Sequence, residues 1–176
     1  MDLAQFWEAR TKKSRSQLQT YVDAKSPEPI LKFIRMGGGT AMGTAAEEYA
    51  RFHFPSLKPR SKGETGHDHL INDLKVEQKT SGYWQKGDFK WQHIAMGHDW
   101  KMLLLVGIQY EDFVFWALSK KDLENILSQG SLKNTNQGSK DGSSHQGIWF
   151  NYSAIKTHLT KIESGEQLVQ FALACV

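Results

Sequence analysis

Two apolar runs sit close together past the middle of this 176-residue chain: Met102-Leu103-Leu104-Leu105-Val106-Gly107-Ile108 and Phe113-Val114-Phe115-Trp116-Ala117-Leu118. A strand with one wet face alternates apolar and polar residues. A short unbroken apolar run reads instead as a strand covered on both faces. Glu111-Asp112 supplies the turn between the two. The chain must therefore bring material to both sides of a sheet.

Amphipathic segments around the runs supply it. Leu3, Phe6, Trp7, Leu18, Tyr21 and Val22 fit one broken or two short helices, and Pro27 and Pro29 are expected to interrupt any helix beyond. Ile30 to Met36 is apolar without a clear period. Gly37-Gly38-Gly39 lacks the Gly-Lys-Ser/Thr ending of a phosphate loop and reads as a hinge. Thr44 and Glu47 form a capping box for a helix from about Thr44 to Phe54, ended by Pro55. Leu57 to Thr65 reads as a loop or ragged edge strand. Phe89 to Met96, with Trp91, Ile94 and Ala95, suits a short helix or helical turn. Ser119 and Asp122 cap a helix carrying Leu123, Ile126 and Leu127. Ser128 to Gly147 is a long polar loop, a strand follows near Ile148 to Tyr152, and Ser164 with Gln167 opens a last helix with Leu168, Phe171, Ala172 and Cys175 inward. The expectation is one α/β domain over 1–176: a helical segment at 1–36, a core at 44–118, the loop at 128–147, and a strand and helix at 148–176.

Gly66 to Ser81 carries the chemistry. Asn72-Asp73 tolerates the left-handed backbone of a two-residue hairpin turn. Counting from it sets Ile71 opposite Leu74, Leu70 opposite Lys75, His69 opposite Val76 and Asp68 opposite Glu77. Opposed carboxylates lie roughly 5 Å apart at Cβ and destabilise a hairpin unless compensated. A divalent cation is one compensator. Alternation puts Lys75, Glu77 and Lys79 on one face and Leu74, Val76 and Gln78 on the other. Two acids and a lysine suit metal-assisted phosphodiester hydrolysis: Asp68 and Glu77 hold Mg²⁺, the Gln78 carbonyl is a third ligand, and Lys79 orients water or neutralises the transition state. An ordinary exposed strand face bounded by Asp68 accounts for the same residues.

Asp68, eight residues, then Glu77-Gln78-Lys79 resembles the PD-(D/E)XK signature of restriction-endonuclease-like nucleases. The resemblance spans roughly Thr44 to Leu118. His67 stands where the name-giving pattern has Pro. Gly43-Thr44-Ala45-Ala46-Glu47 is similar to the family's acidic helix, which nominates Glu47, with Glu48 beside it; capping explains Glu47 equally well. Gln92 and His93 fall where members place polar residues. The resemblance implies a three-layer core with a mixed β-sheet flanked by helices. It also implies an endodeoxyribonuclease using Mg²⁺, with Mn²⁺ able to substitute, on double-stranded DNA. A type II restriction enzyme acting as a homodimer is the expected form, since cutting both strands of a palindrome favours two-fold symmetry. A repair, recombination or phage nuclease of the same core, or a non-catalytic nucleic-acid-binding module, are the alternatives.

Net charge +3 and pI near 8.9 permit a nucleic-acid partner without demanding one. Basic residues cluster at Lys12, Lys13 and Arg15 and again at Arg51, Lys58, Arg60 and Lys62. The last three are placed to hold phosphates. In the polar loop, Lys133, Asn134, Asn136, Gln137, Lys140, His145 and Gln146 offer donors and acceptors for base edges, although a plain linker is equally consistent. His67 and His69 flank Asp68, with His53, His93 and His98 near in sequence, but no spacing typical of zinc ligands appears. A single cysteine, Cys175, excludes a disulfide framework. No apolar stretch resembles a signal peptide or spans a bilayer, so a cytoplasmic, reducing setting without membrane contact is expected.

Overall fold

A computed structural model describes residues 16–36, 39–84, 87–130, 132 and 147–176. The early apolar and basic residues from Leu3 to Arg15, Gly37-Gly38, and Lys133, Asn134, Asn136, Gln137, Lys140, His145 and Gln146 of the polar loop lie outside the described residues.

Helix α1 (Gln17–Asp23) starts where the Ser16 side chain accepts the Gln19 amide. Helix α2 (Glu28–Arg35) corrects the expectation of an interruption at the prolines. Pro27 is its N-cap and Pro29 lies in its first turn, where a missing amide costs nothing. Helix α3 (Gly39–His53) begins at Gly39, not Thr44. Thr44 is therefore inside the helix, and Glu47 has no capping role left.

The strands are β1 (Lys58–Pro59), β2 (His69–Ile71), β3 (Leu74–Trp84), β4 (Asp88–Ala95), β5 (Met102–Ile108), β6 (Phe113–Ser119), β7 (Gly147–Asn151) and β8 (Thr160–Ile162). They join in the order β1-β2-β3-β5-β6-β8, with β4 bridging β3 and β7. Among the described residues β3 and β5 run parallel, Val76 opposite Met102 through Gly82 opposite Ile108, and the other pairings are antiparallel. Helices α4 (Lys120–Ser128), α5 (Tyr152–Ile155) and α6 (Gly165–Ala174) complete an α/β fold with a mixed, mostly antiparallel sheet flanked by helices. Ser119 and Ser164 accept the Asp122 and Gln167 amides at the caps read from sequence.

Strand β4 replaces the helical turn expected over Phe89 to Met96. Its register with β7 slips between Trp91 and Ile94, so one extra residue enters the strand. That turns a spacing of two into the helix-like spacing of Trp91, Ile94 and Ala95, which explains the misreading. Strand β8 was not expected at all; of its three residues only Ile162 is buried.

The apolar runs are unbroken because alternate residues enter different layers. Leu104 packs with Ala50, Phe54, Val76, Leu168 and Ala172 beneath α3 and α6. Leu103 and Leu105 pack with Trp91, Trp116, Leu123 and Ile148 beneath β4, β7 and α4. Gly107 interrupts the run because a Cβ there would lie 2.7 Å from the Phe89 ring. A third cluster of Tyr21, Ile30, Ile34 and Ile108 seats α1 and α2, and the Tyr21 hydroxyl accepts the Tyr83 amide and donates to the Ile108 carbonyl. Among the described residues no helix is long and apolar enough to cross a membrane.

Candidate active site

The site lies where β3 loses a neighbour. Asn72 and Asp73 both take positive φ, +46° and +68°, closing a hairpin whose ladder runs Ile71–Leu74, Leu70–Lys75, His69–Val76, as counted from sequence. There β2 ends. On its other edge β3 stays paired with β5 from Val76 to Gly82, and β4 joins it only at Tyr83 and Trp84. From Glu77 to Gly82 one edge of β3 therefore has no strand beside it among the described residues.

Asp68 fills the first vacancy on that edge. Its amide donates to the Val76 carbonyl at 2.9 Å, and its Oδ2 accepts the Gln78 amide at 2.8 Å. The register expected to set Asp68 opposite Glu77 is thus not continued; Asp68 turns onto the backbone instead. Because N–H and C=O of one strand residue point to the same edge, the Gln78 carbonyl also faces the opening. Ser81 fills the far end, its Oγ accepting the Lys90 amide from β4.

Glu47 approaches from α3. Its pKa is raised to about 7, first by burial and then by the charge of Asp68, with Arg51, Arg60 and Lys79 pulling the other way. Burial and the Asp68 carboxylate together thus outweigh the three cations at Glu47. Glu77 is buried on the opposite face of β3 from Gln78, and Lys79 Nζ donates to its Oε1 at 2.6 Å. Lys79 remains partly exposed and reaches the cleft.

Together these groups border a cleft of about 940 Å³. Of the residues nominated from sequence, Glu47, Arg60, Asp68, Gln78, Lys79, Gln92 and His93 line it, and Glu77 lies behind Lys79. Arg60 is held there by donating to the His67 carbonyl at 3.1 Å. Lys58 and Lys62 are not among the lining residues; Lys58 Nζ donates to the Pro55 carbonyl. Gln92 and His93 are the bulged residues of β4. His93 has φ +58°, and a Cβ on Gly147 of β7 would lie 2.9 Å from its Cα. The bulge turns both side chains toward the cleft.

Sequence reasoning missed Thr80, Ser81 and Lys90. Thr80 and Ser81 follow Lys79 directly, so extending the strand alternation would have found them. Lys90 carried no signal; its ammonium stands 3.8 Å over the Trp149 ring. Trp91 and Trp100 are fully buried and present no ring to the cleft.

The histidines have other occupations. His69 is buried, and burial lowers its pKa to about 4 against the effect of its bond to Gln78. His53 stacks on Phe115. His67 is buried with Nε2 3.5 Å from Glu64 Oε2 and no hydrogen bond at either ring nitrogen. Among the described residues no three His, Cys, Asp or Glu side chains gather as a ready-made metal cage. The chain matches no family model, and no curated protein matches it.

Proposed function

We propose that the chain is a divalent-metal-dependent endodeoxyribonuclease with a restriction-endonuclease-like core, of type II character and acting as a homodimer on double-stranded DNA. One observation carries the reading: Glu47 and Asp68, distant in sequence, share a cleft with Lys79 and Arg60 at an unpaired strand edge. A buried acid whose pKa is raised further by a neighbouring carboxylate calls for a cation, and cations beside it call for an anionic substrate.

The donor set fits Mg²⁺ or Mn²⁺ rather than zinc. Two carboxylates and a backbone carbonyl are hard oxygen donors, and Mg²⁺ needs only one or two carboxylates because it keeps its waters. Glu47, Asp68 and the Gln78 carbonyl would hold it. Bound there, the ion would supply acidified water and charge neutralisation at the phosphate. The Lys79 ammonium lies where it can donate to a phosphate oxygen while anchored by Glu77. Arg60, tied to the His67 carbonyl, presents its remaining donors to a neighbouring phosphate. Glu77 positions Lys79 in this scheme, a narrower role than the ligand role expected from sequence.

That same pairing favours a second reading, a nucleic-acid-binding module without catalysis, since it withdraws Glu77 from the cleft. Incubating the protein with supercoiled plasmid and Mg²⁺ separates the two. Cleavage abolished by Lys79→Ala, with DNA affinity retained, supports the enzyme. Intact plasmid with Mg²⁺ and with Mn²⁺ overturns it in favour of the binder.

A further inference from the structure

A second line of contacts runs directly behind the acids. Glu47 and Arg51 lie one turn apart on α3, Asp68 and His69 are consecutive where β2 begins, and Gln78 and Lys79 are consecutive in β3. Arg51 Nη1 lies 3.2 Å from His69 Nδ1, His69 Nε2 lies 2.8 Å from Gln78 Oε1, and Gln78 Nε2 donates to Thr80 Oγ1 at 3.2 Å. Three elements that carry cleft residues are thus joined one or a few residues away from each of those residues.

The polarity of this line is forced. A guanidinium only donates, so His69 Nδ1 accepts. The proton of the neutral ring then sits on Nε2 and goes to the amide oxygen of Gln78. The amide nitrogen is left to donate to Thr80, whose side chain lines the cleft. Only one tautomer and one amide orientation satisfy these three contacts. His69 has no exposed surface and Gln78 almost none. The neighbouring core is built of Ile71, Val76 and Ala50, where an aliphatic side chain would fill space as well. What an aliphatic residue lacks is direction: hydrogen bonds hold α3, β2 and β3 at one spacing, whereas apolar packing tolerates sliding.

We propose that His69, through Arg51 and Gln78, is a positioning residue that holds Glu47 at the spacing from Asp68 and the Gln78 carbonyl needed to bind a divalent cation. The relay does not touch substrate. The cation-binding part stands on the geometry; its consequence for DNA cleavage rests on the nuclease reading.

The test compares His69→Leu with His69→Gln in the full chain, measuring Mn²⁺ affinity by electron paramagnetic resonance and Mg²⁺-dependent plasmid cleavage. Gln can accept from Arg51 through Oε1 and donate to Gln78 through Nε2. His69→Leu should weaken Mn²⁺ binding about 10- to 100-fold, the range for losing an outer-shell partner. It should lower kcat with little change in KM for DNA, and His69→Gln should restore most of both. Imidazole ¹⁵N shifts of the native protein should show a proton on Nε2 and a bare Nδ1. Unchanged Mn²⁺ affinity in His69→Leu, or the opposite tautomer, overturns the proposal. Should His69→Leu fail to fold, Thr80→Val cuts the last link, and native Mn²⁺ affinity in that variant, or the opposite tautomer, overturns it. A native protein that leaves DNA intact yet shows the loss and rescue of Mn²⁺ binding supports the relay while refuting the nuclease. A native protein without Mn²⁺ affinity refutes both.

Discussion

The carboxylate of Asp68 takes the hydrogen bond that a neighbouring strand would otherwise give the amide of Gln78, at 2.8 Å. One side chain thus serves both the backbone and the cleft, and substitution can separate the two duties. Asp68→Asn keeps an acceptor oxygen for Gln78 and should melt within a degree or two of native. Asp68→Ala leaves the amide to water at the cleft wall and should cost about 1 kcal/mol. Both should lose at least the ~100-fold in cleavage that an outer-shell loss already costs at a metal site. Thermal melts and plasmid assays on the pair check this; equal loss of stability in both would refute the backbone role.

Lys79 and Glu77 form a pair in which the acid is buried and the lysine half-open. Removing the lysine leaves an uncompensated charge, which costs about 3–5 kcal/mol when both partners are fully buried. With Lys79 partly in water, Lys79→Ala should cost roughly 2 kcal/mol. Adding Glu77→Gln should recover most of the stability and none of the cleavage. Denaturant midpoints of the two variants decide it, and a double variant no more stable than the single one contradicts the pairing argument.

Glu47 gives the metal-free protein a pH dependence with a definite sign. Its folded pKa, about 7, lies above the ordinary 4.5, so the folded state holds a proton that the unfolded state has lost. The stability tied to that proton is fully present below pH 4.5 and is lost as pH rises through 7. After allowance for screening in an open cleft, the loss should be on the order of 1–2 kcal/mol. Glu47→Gln should flatten this part of the profile and melt higher than native at pH 8. Mg²⁺ should raise the melting temperature of the native protein at pH 8 and do so much less for Glu47→Gln. A flat native profile between pH 4.5 and 8 contradicts the assignment.

Gly147 is required by its neighbour. A methyl there would press on the backbone of His93, which cannot yield as a flexible side chain would. Gly147→Ala should cost about 1–3 kcal/mol through overpacking and disturb the β4 bulge. Loss of cleavage should exceed what the shift in melting temperature explains, because Gln92 and His93 leave the cleft. Amide shifts confined to β4 and β7 would identify the bulge as the affected element; an undisturbed bulge would refute the account.

Local signals were legible where their physics is local. The Asn72-Asp73 turn set its register because only residues tolerant of positive φ close a two-residue hairpin, and the capping serines marked their helices because they act three residues away. Strand β4 was misread because an inserted residue mimicked helical spacing. The start of α3 was misplaced because Gly39 to Gly43 has weak helical propensity, which packing of Met42 against the cluster of Tyr21, Ile30 and Ile34 offsets.

The sequence alone determined that Asp68, Glu77 and Lys79 share a short hairpin, since covalent spacing and strand alternation suffice for that. Only the tertiary structure decided that Glu47 belongs with Asp68 and that Glu77 is tied to Lys79. It also decided that, among the described residues, β3 keeps an open edge from Glu77 to Gly82. Those outcomes depend on how α3 packs over Val76 and Leu104 and on where β2 and β4 stop pairing. Long-range burial sets them, and no stretch of neighbouring residues encodes it.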